Sequence, residues 1–100
     1  MTYPAPTFDL PVNYRKLSSR DRGRVRRQYV TQQEGKCWHC GALLVHDPRG
    51  DIKRLWINKQ LFPKGFLDHP IHLQHSHKTG MTEGAVHAHC NAVLWQYQKR

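Results

Sequence analysis

Acidic residues are scarce in this chain, long apolar runs are absent, and cysteine occurs an odd number of times. Only 7 Asp and Glu stand against 16 Lys and Arg in 100 residues, a formal net charge of +9. A small chain this basic is expected to meet a polyanion, with nucleic acid the leading candidate. The arginines also cluster in one segment rather than scattering, which argues against a merely basic surface. No run is long enough to span a bilayer, and the first residues lack the apolar h-region of a signal peptide, so a cytoplasmic protein is expected. The 3 cysteines cannot all pair within one chain. That excludes a complete disulfide framework and suits a reduced thiolate site. Hydrophobic residues make up 38% of the chain. This is a thin supply for a core, and small domains often add a metal to compensate. There is no internal repeat and no low-complexity tract, so one domain is expected.

Taken in order, residues 1–17 read as an extended arm, with three prolines and with Tyr3, Phe8 and Leu10 available to lie on the body. Residues 18–34 read as a helix. Ser18 and Asp21 form a capping box in which Asp replaces the usual Glu. Leu17, Val25, Tyr29 and Val30 give an apolar stripe, and Gly35 ends the helix. Arg20, Arg22, Arg24, Arg26 and Arg27 crowd its remaining faces with few acids to pair them, so this helix is expected to lie along phosphates, with Lys78 adding a further contact. Residues 36–46, KCWHCGALLVH, read as a metal knuckle followed by a short strand, ALLV. A redox Cys-x-x-Cys would instead open a helix in a βαβ unit. After a turn at residues 47–50, a second strand is expected over 52–57, then a loop with Pro63, Gly65 and Pro70. Trp56, Leu61, Phe62, Phe66 and Leu67 are expected to be packing residues rather than a base-stacking platform. A strand from Ile71, a turn at Lys78-Thr79-Gly80, a strand over Gly84–Val86 and a helix over 87–98 complete the chain, ending in a basic Gln98-Lys99-Arg100.

The stretch 71–91, IHLQHSHKTGMTEGAVHAHCN, holds five histidines and the third cysteine. Histidine is both a metal ligand and a base near neutral pH, so this density marks a site. Cys37-x-x-Cys40 and His87-x-x-Cys90 are two half-sites with the spacing of a tetrahedral structural zinc, the second at a helix start where one turn aligns both side chains. His89 is the alternative fourth ligand, on a different helical face. The hairpin carrying His75 and the helix carrying Asn91 form a second candidate site. There His75 can act as base, Asn91 can present its amide oxygen to a divalent ion or orient the histidine, and His77 can contact phosphate or ion.

This pattern resembles the HNH, or ββα-metal, nucleases, and within them the small phage endonucleases related to recombination endonuclease VII. The resemblance covers about residues 36–97 and is most specific in HKTGMTEGAVHAHCNAVLWQY. It implies an α+β, zinc-stapled domain over 18–100, with the ββα-metal motif at 70–98, that nicks or cleaves DNA with Mg²⁺ or Mn²⁺ in a prokaryotic or phage-infected cell. The base falls on His75, the helix-borne site residue on Asn91, and the zinc ligands on Cys37, Cys40, His87 and Cys90. The family's ion ligand before the base is Asp or His; here it is Gln74, which brings no charge and lowers ion affinity. Ser76 stands where the family has Asp. The alternative is a zinc-binding DNA-binding module without catalysis, acting in a larger phage machine. Either way, the expected partner is duplex or branched DNA held mainly by its backbone, with little sequence preference.

Overall fold

Ser18 leaves the helical path at φ −67°, ψ 163° and accepts the Asp21 amide on its hydroxyl at 3.1 Å, which starts α1 (Ser19–Gln32). The helix ends where Glu34 and Gly35 take positive φ, 56° and 76°, and the Gly35 amide returns to the Val30 carbonyl at 2.9 Å. Of its apolar stripe, Val25 and Tyr29 are buried. The computed structural model describes residues 7–99, so Tyr3 and Arg100 lie outside the described residues. It has an α+β architecture: α1, a one-turn helix α2 (Gly50–Lys53), an antiparallel hairpin of β1 (Ile71–His75) and β2 (Thr82–His87), and α3 (Ala88–Gln98).

The arm is more integrated than an extended tail. The Phe8 amide and carbonyl pair with the Gln28 side chain at 3.0 and 2.8 Å. Asn13 bridges to Met81, Thr82 N donates to the Val12 carbonyl at 2.8 Å, and a 3-10 turn follows at Tyr14–Lys16. The arm and the cysteine knuckle together cover the outer edge of β2. Trp38 N donates to Ala85 O at 2.9 Å, and the Gln33 amide side chain pairs with both backbone groups of Ala85 at 2.9 Å. A Cβ on Gly84 would come within 2.7 Å of the Trp38 side chain, so the close approach of knuckle to strand requires glycine there. The outer edge of β1 carries no strand among the described residues.

Two expected strands are absent. ALLV contributes only an isolated bridge, Lys36 to Leu43. The knuckle closes on itself, with Cys37 N donating to Ala42 O at 2.8 Å and Gly41 at φ 81°, so the chain turns before a strand can extend. Leu44 is buried by that turn and Val45 is left exposed. Residues 52–57 are the end of α2 and irregular chain, not a strand. The Ile52 and Lys53 amides both donate to Arg49 O at 2.9 Å, and no neighbouring strand stands beside them to reward an extended form.

The core is small. Val25 and Tyr29 from α1, Leu73 from β1, Ala85 and Val86 from β2 and Leu44 surround the three cysteines, of which Cys90 is fully buried. No helix among the described residues is long and apolar enough to cross a membrane.

Candidate metal centre and cleft

Cys37, Cys40, His87 and Cys90 converge from two segments almost 50 residues apart. Their donor atoms lie within 4.8 Å of one another, and all four residues are buried. The cysteines are free. A tetrahedral zinc with Zn–N about 2.0 Å and Zn–S about 2.3 Å holds nitrogen and sulfur roughly 3.6 Å apart. His87 Nδ1 lies 3.5 Å from Cys40 Sγ and 3.6 Å from Cys90 Sγ. Its other nitrogen, Nε2, faces the carbonyl oxygens of Leu43 and His46 at 3.0 and 2.9 Å. Two acceptors fix the proton on Nε2, which leaves Nδ1 with a lone pair aimed at the sulfurs. The amides of His39 and Cys40 approach Cys37 Sγ at 3.4 and 3.5 Å, and that of Arg49 approaches Cys40 Sγ at 3.5 Å. These are donors suited to thiolates. The Cys37 thiol is pulled down to about 4, chiefly by a hydrogen bond from Cys90, while that same bond and burial push the Cys90 thiol up. Three crowded sulfurs cannot all ionise unaided, and a divalent cation removes that conflict. The group therefore fits zinc. His89 is not part of it, because its Nε2 meets Ile52 O at 2.9 Å, on the side of α2.

A cleft of about 520 Å³ opens along the free edge of β1. His72 and His75, either side of a register irregularity between Gln74 and His75, both line this opening. Asn91 and Trp95 come from α3, and Arg22 and Arg26 from α1. Asn91 Nδ2 donates to His72 Nδ1 at 3.0 Å, so the histidine that Asn91 orients is His72. His75 is instead stacked on Tyr14, with centroids 3.9 Å apart and planes 6° apart. The Arg22 guanidinium lies 3.9 Å from the same Tyr14 ring and its side chain donates to Tyr14 O. Since two groups cannot occupy one face at that distance, Arg22, Tyr14 and His75 form a three-layer stack. Burial, then the charges of His77, Arg15 and Arg22, lower the His75 pKa to about 4. Burial likewise lowers that of His72. His77 packs against both His75 and Trp95, with centroids 4.8 Å apart in each case.

Gln74 is not brought to the cleft. It is 1% exposed, and its side-chain amide donates to Glu83 at 3.2 Å and to the His75 carbonyl. The expectation that Gln74 and Asn91 share an ion is therefore not met by their placement. Among the described residues lining the cleft none is acidic, so a hard cation such as Mg²⁺ finds no charged ligand there.

The arginines divide. Arg22 and Arg26, one turn apart, line the cleft. Arg24 pairs with Asp21 at 3.4 Å, and Arg20 and Arg27 are exposed, as is Lys78 in the hairpin turn. Sequence reasoning missed Tyr14, which was absorbed into an arm. Phe62 and Phe66, expected as packing residues, do pack, stacked 4.8 Å apart with Phe66 edge-on to His72, and they also line the cleft, which sequence reasoning did not foresee. Neither belongs to the core cluster or its packed surround. A proline- and glycine-punctuated loop was the available signal, since such segments rarely supply core.

Comparison with known protein families, with characterised proteins and with solved structures finds no match to this chain.

Proposed function

We propose that this chain is a DNA nuclease of the ββα-metal kind, stapled by a structural zinc on Cys37, Cys40, His87 and Cys90. The observation that carries the reading is the convergence of His75, His77, Asn91, Arg22 and Arg26 on one cleft free of acidic lining. A phosphodiester needs positive charge to hold it and a base to activate water. Arg22 and Arg26 hold the phosphate. His75, neutral above about pH 4, has its lone pair available, and the Tyr14 stack fixes its plane. Asn91 fixes the ring of His72, and exposed His77 contacts the phosphate. The cleft donors are imidazoles and one carboxamide, a set that suits a borderline transition ion better than Mg²⁺. When bound, such an ion supplies charge stabilisation at the departing oxygen.

The test is nicking of supercoiled plasmid in Mg²⁺, Mn²⁺ or Ni²⁺. Losing a general base costs about 10²–10⁴ in rate, and His75→Ala should show it. Cutting that survives His75→Ala removes the assigned base. One observation favours a second reading, a zinc-stapled DNA-binding module without cleavage. Gln74 is buried, its side-chain nitrogen donates to Glu83, and it does not line the cleft. That reading predicts salt-dependent DNA binding with no nicking in any of the three ions.

A further inference from the structure

Gly23 stands inside α1, where glycine is the poorest helix former after proline. The backbone does not ask for it, since Gly23 is not among the glycines with positive φ. Packing does not ask for it either. A Cβ built there would meet Arg27 Nη1 at 3.7 Å and Arg26 Nη2 at 3.9 Å, both ordinary contacts. The missing side chain instead leaves a notch in the helix surface, and two guanidinium groups border it. Helical spacing puts Arg20, three residues earlier, on the same side. Like charges gathered this way repel, and no acid relieves them. Asp21, the sole acid in α1, pairs with Arg24 at 3.4 Å. The other ion pairs among the described residues use Arg49 and Lys53, so neither Arg26 nor Arg27 has one.

An anion supplies what is missing. A phosphate oxygen between the two guanidiniums takes charge-assisted hydrogen bonds from both, and a bare Gly23 lets it come down against the helix backbone. Arg26 also lines the cleft, so the notch and the cleft share a side chain. A chain of phosphates can occupy both places at once, which a single small anion cannot do. We propose that Gly23, bordered by Arg26 and Arg27, is the seat of one phosphate of a DNA backbone outside the cleft. The inference rests on the nucleic-acid reading above and adds a binding site to it, one made by an absent side chain.

The experiment compares the zinc-loaded full chain with Gly23→Ala, Gly23→Leu and Arg27→Ala. It measures thermal melting, and affinity for one short duplex across a series of salt concentrations. Alanine is a better helix former than glycine, so Gly23→Ala should melt above the parent. It should nevertheless bind DNA about threefold more weakly, the scale of one phosphate contact, and Gly23→Leu should bind more weakly still. Arg27→Ala should weaken binding similarly and lower the salt slope by about one. A helix that holds nothing at this position gives a different pairing, higher melting with unchanged affinity. That result in both Gly23 variants overturns the proposal while leaving the nucleic-acid reading in place. Saturable binding of inorganic phosphate alone to the parent, lost in Gly23→Leu, would make the notch a site for a free anion and overturn its assignment to DNA. Failure of the parent to bind the duplex at low salt overturns both readings.

Discussion

Replacing Cys37 by serine should abolish the fold, not merely weaken it. The four ligand residues are 0–4% exposed and sit at the centre of the core, so the site is where a larger domain would have placed leucines. Domains of this size are worth about 5–15 kcal/mol in total, at roughly 0.05–0.15 kcal/mol per residue. A structural zinc in a small domain contributes roughly 10–16 kcal/mol, because the site does not exist in the unfolded chain. The metal term is as large as the whole stability, so nothing is left to hold the metal-free chain. Cys37→Ser also leaves two buried thiols facing an imidazole with no cation between them. The assays are elemental analysis and circular-dichroism melting under reducing conditions. The parent should carry one zinc per chain and melt cooperatively, and Cys37→Ser should carry none and show no cooperative transition. His89→Ala is the control. His89 bonds the Ile52 carbonyl rather than a sulfur, so this variant should keep its zinc. One kcal/mol moves the midpoint by about 4–8 °C at this size. A metal-free Cys37→Ser protein melting within about 5 °C of the parent would therefore refute the argument.

Three further outcomes follow from the geometry. The His75 imidazole should titrate near 4 by NMR. Its folded-state pKa is depressed, so the stability it contributes is complete above its ordinary value near 6.5 and is lost as pH falls from there toward 4. Tyr14→Ala should move the titration back toward 6.5, and Tyr14→Phe, which keeps the stack, should not; an unmoved value in Tyr14→Ala removes the stack as a cause. Gly84→Ala should cost about 1–3 kcal/mol in urea unfolding, since the added carbon falls 2.7 Å from Trp38 and must displace the knuckle; a neutral effect would show that the knuckle yields freely. Arg26→Ala should lower the salt dependence of DNA binding by about one phosphate contact, and an unchanged slope would take Arg26 out of the interface.

What the sequence made legible was whatever depends on short spacing. The Ser18 cap, the Gly35 stop and the pairing of Cys37-x-x-Cys40 with His87-x-x-Cys90 are local patterns read by local chemistry. Even the choice between His87 and His89 followed from one helical turn. What stayed hidden depends on long-range placement. ALLV and the run 52–57 have strand-like composition, but a strand needs an edge to pair with, and both edges of the hairpin were committed elsewhere or left to the cleft. Tyr14 is separated from His75 by 61 positions, and no periodicity connects them. Gln74 occupies the register expected of a ligand, yet Glu83 from the adjacent strand holds its side chain. A neighbour on another strand decided that, and spacing along β1 carries no trace of it.

The metal group and the cleft are joined through two consecutive residues of α3. Cys90 faces the sulfurs, and Asn91, the next residue along the helix, holds the ring of His72. His87 does the same work from the other end, since it is the last residue of β2 and the cap position of α3. An ion held by His87 and Cys90 would therefore fix the angle between hairpin and helix, and with it the separation of His72 on β1 from Asn91 on α3. The arm closes the other side, where Val12 and Tyr14 bond the backbone around Thr82 and Gly80 and so set Tyr14 over His75. With an ion in place the histidine-bearing edge would be clamped twice, by the helix on one flank and by the N-terminal strap on the other. This is why a shortage of apolar residues is compatible with a well-defined cleft: the ordering comes from a few strong constraints placed beside the site rather than from the bulk of the core.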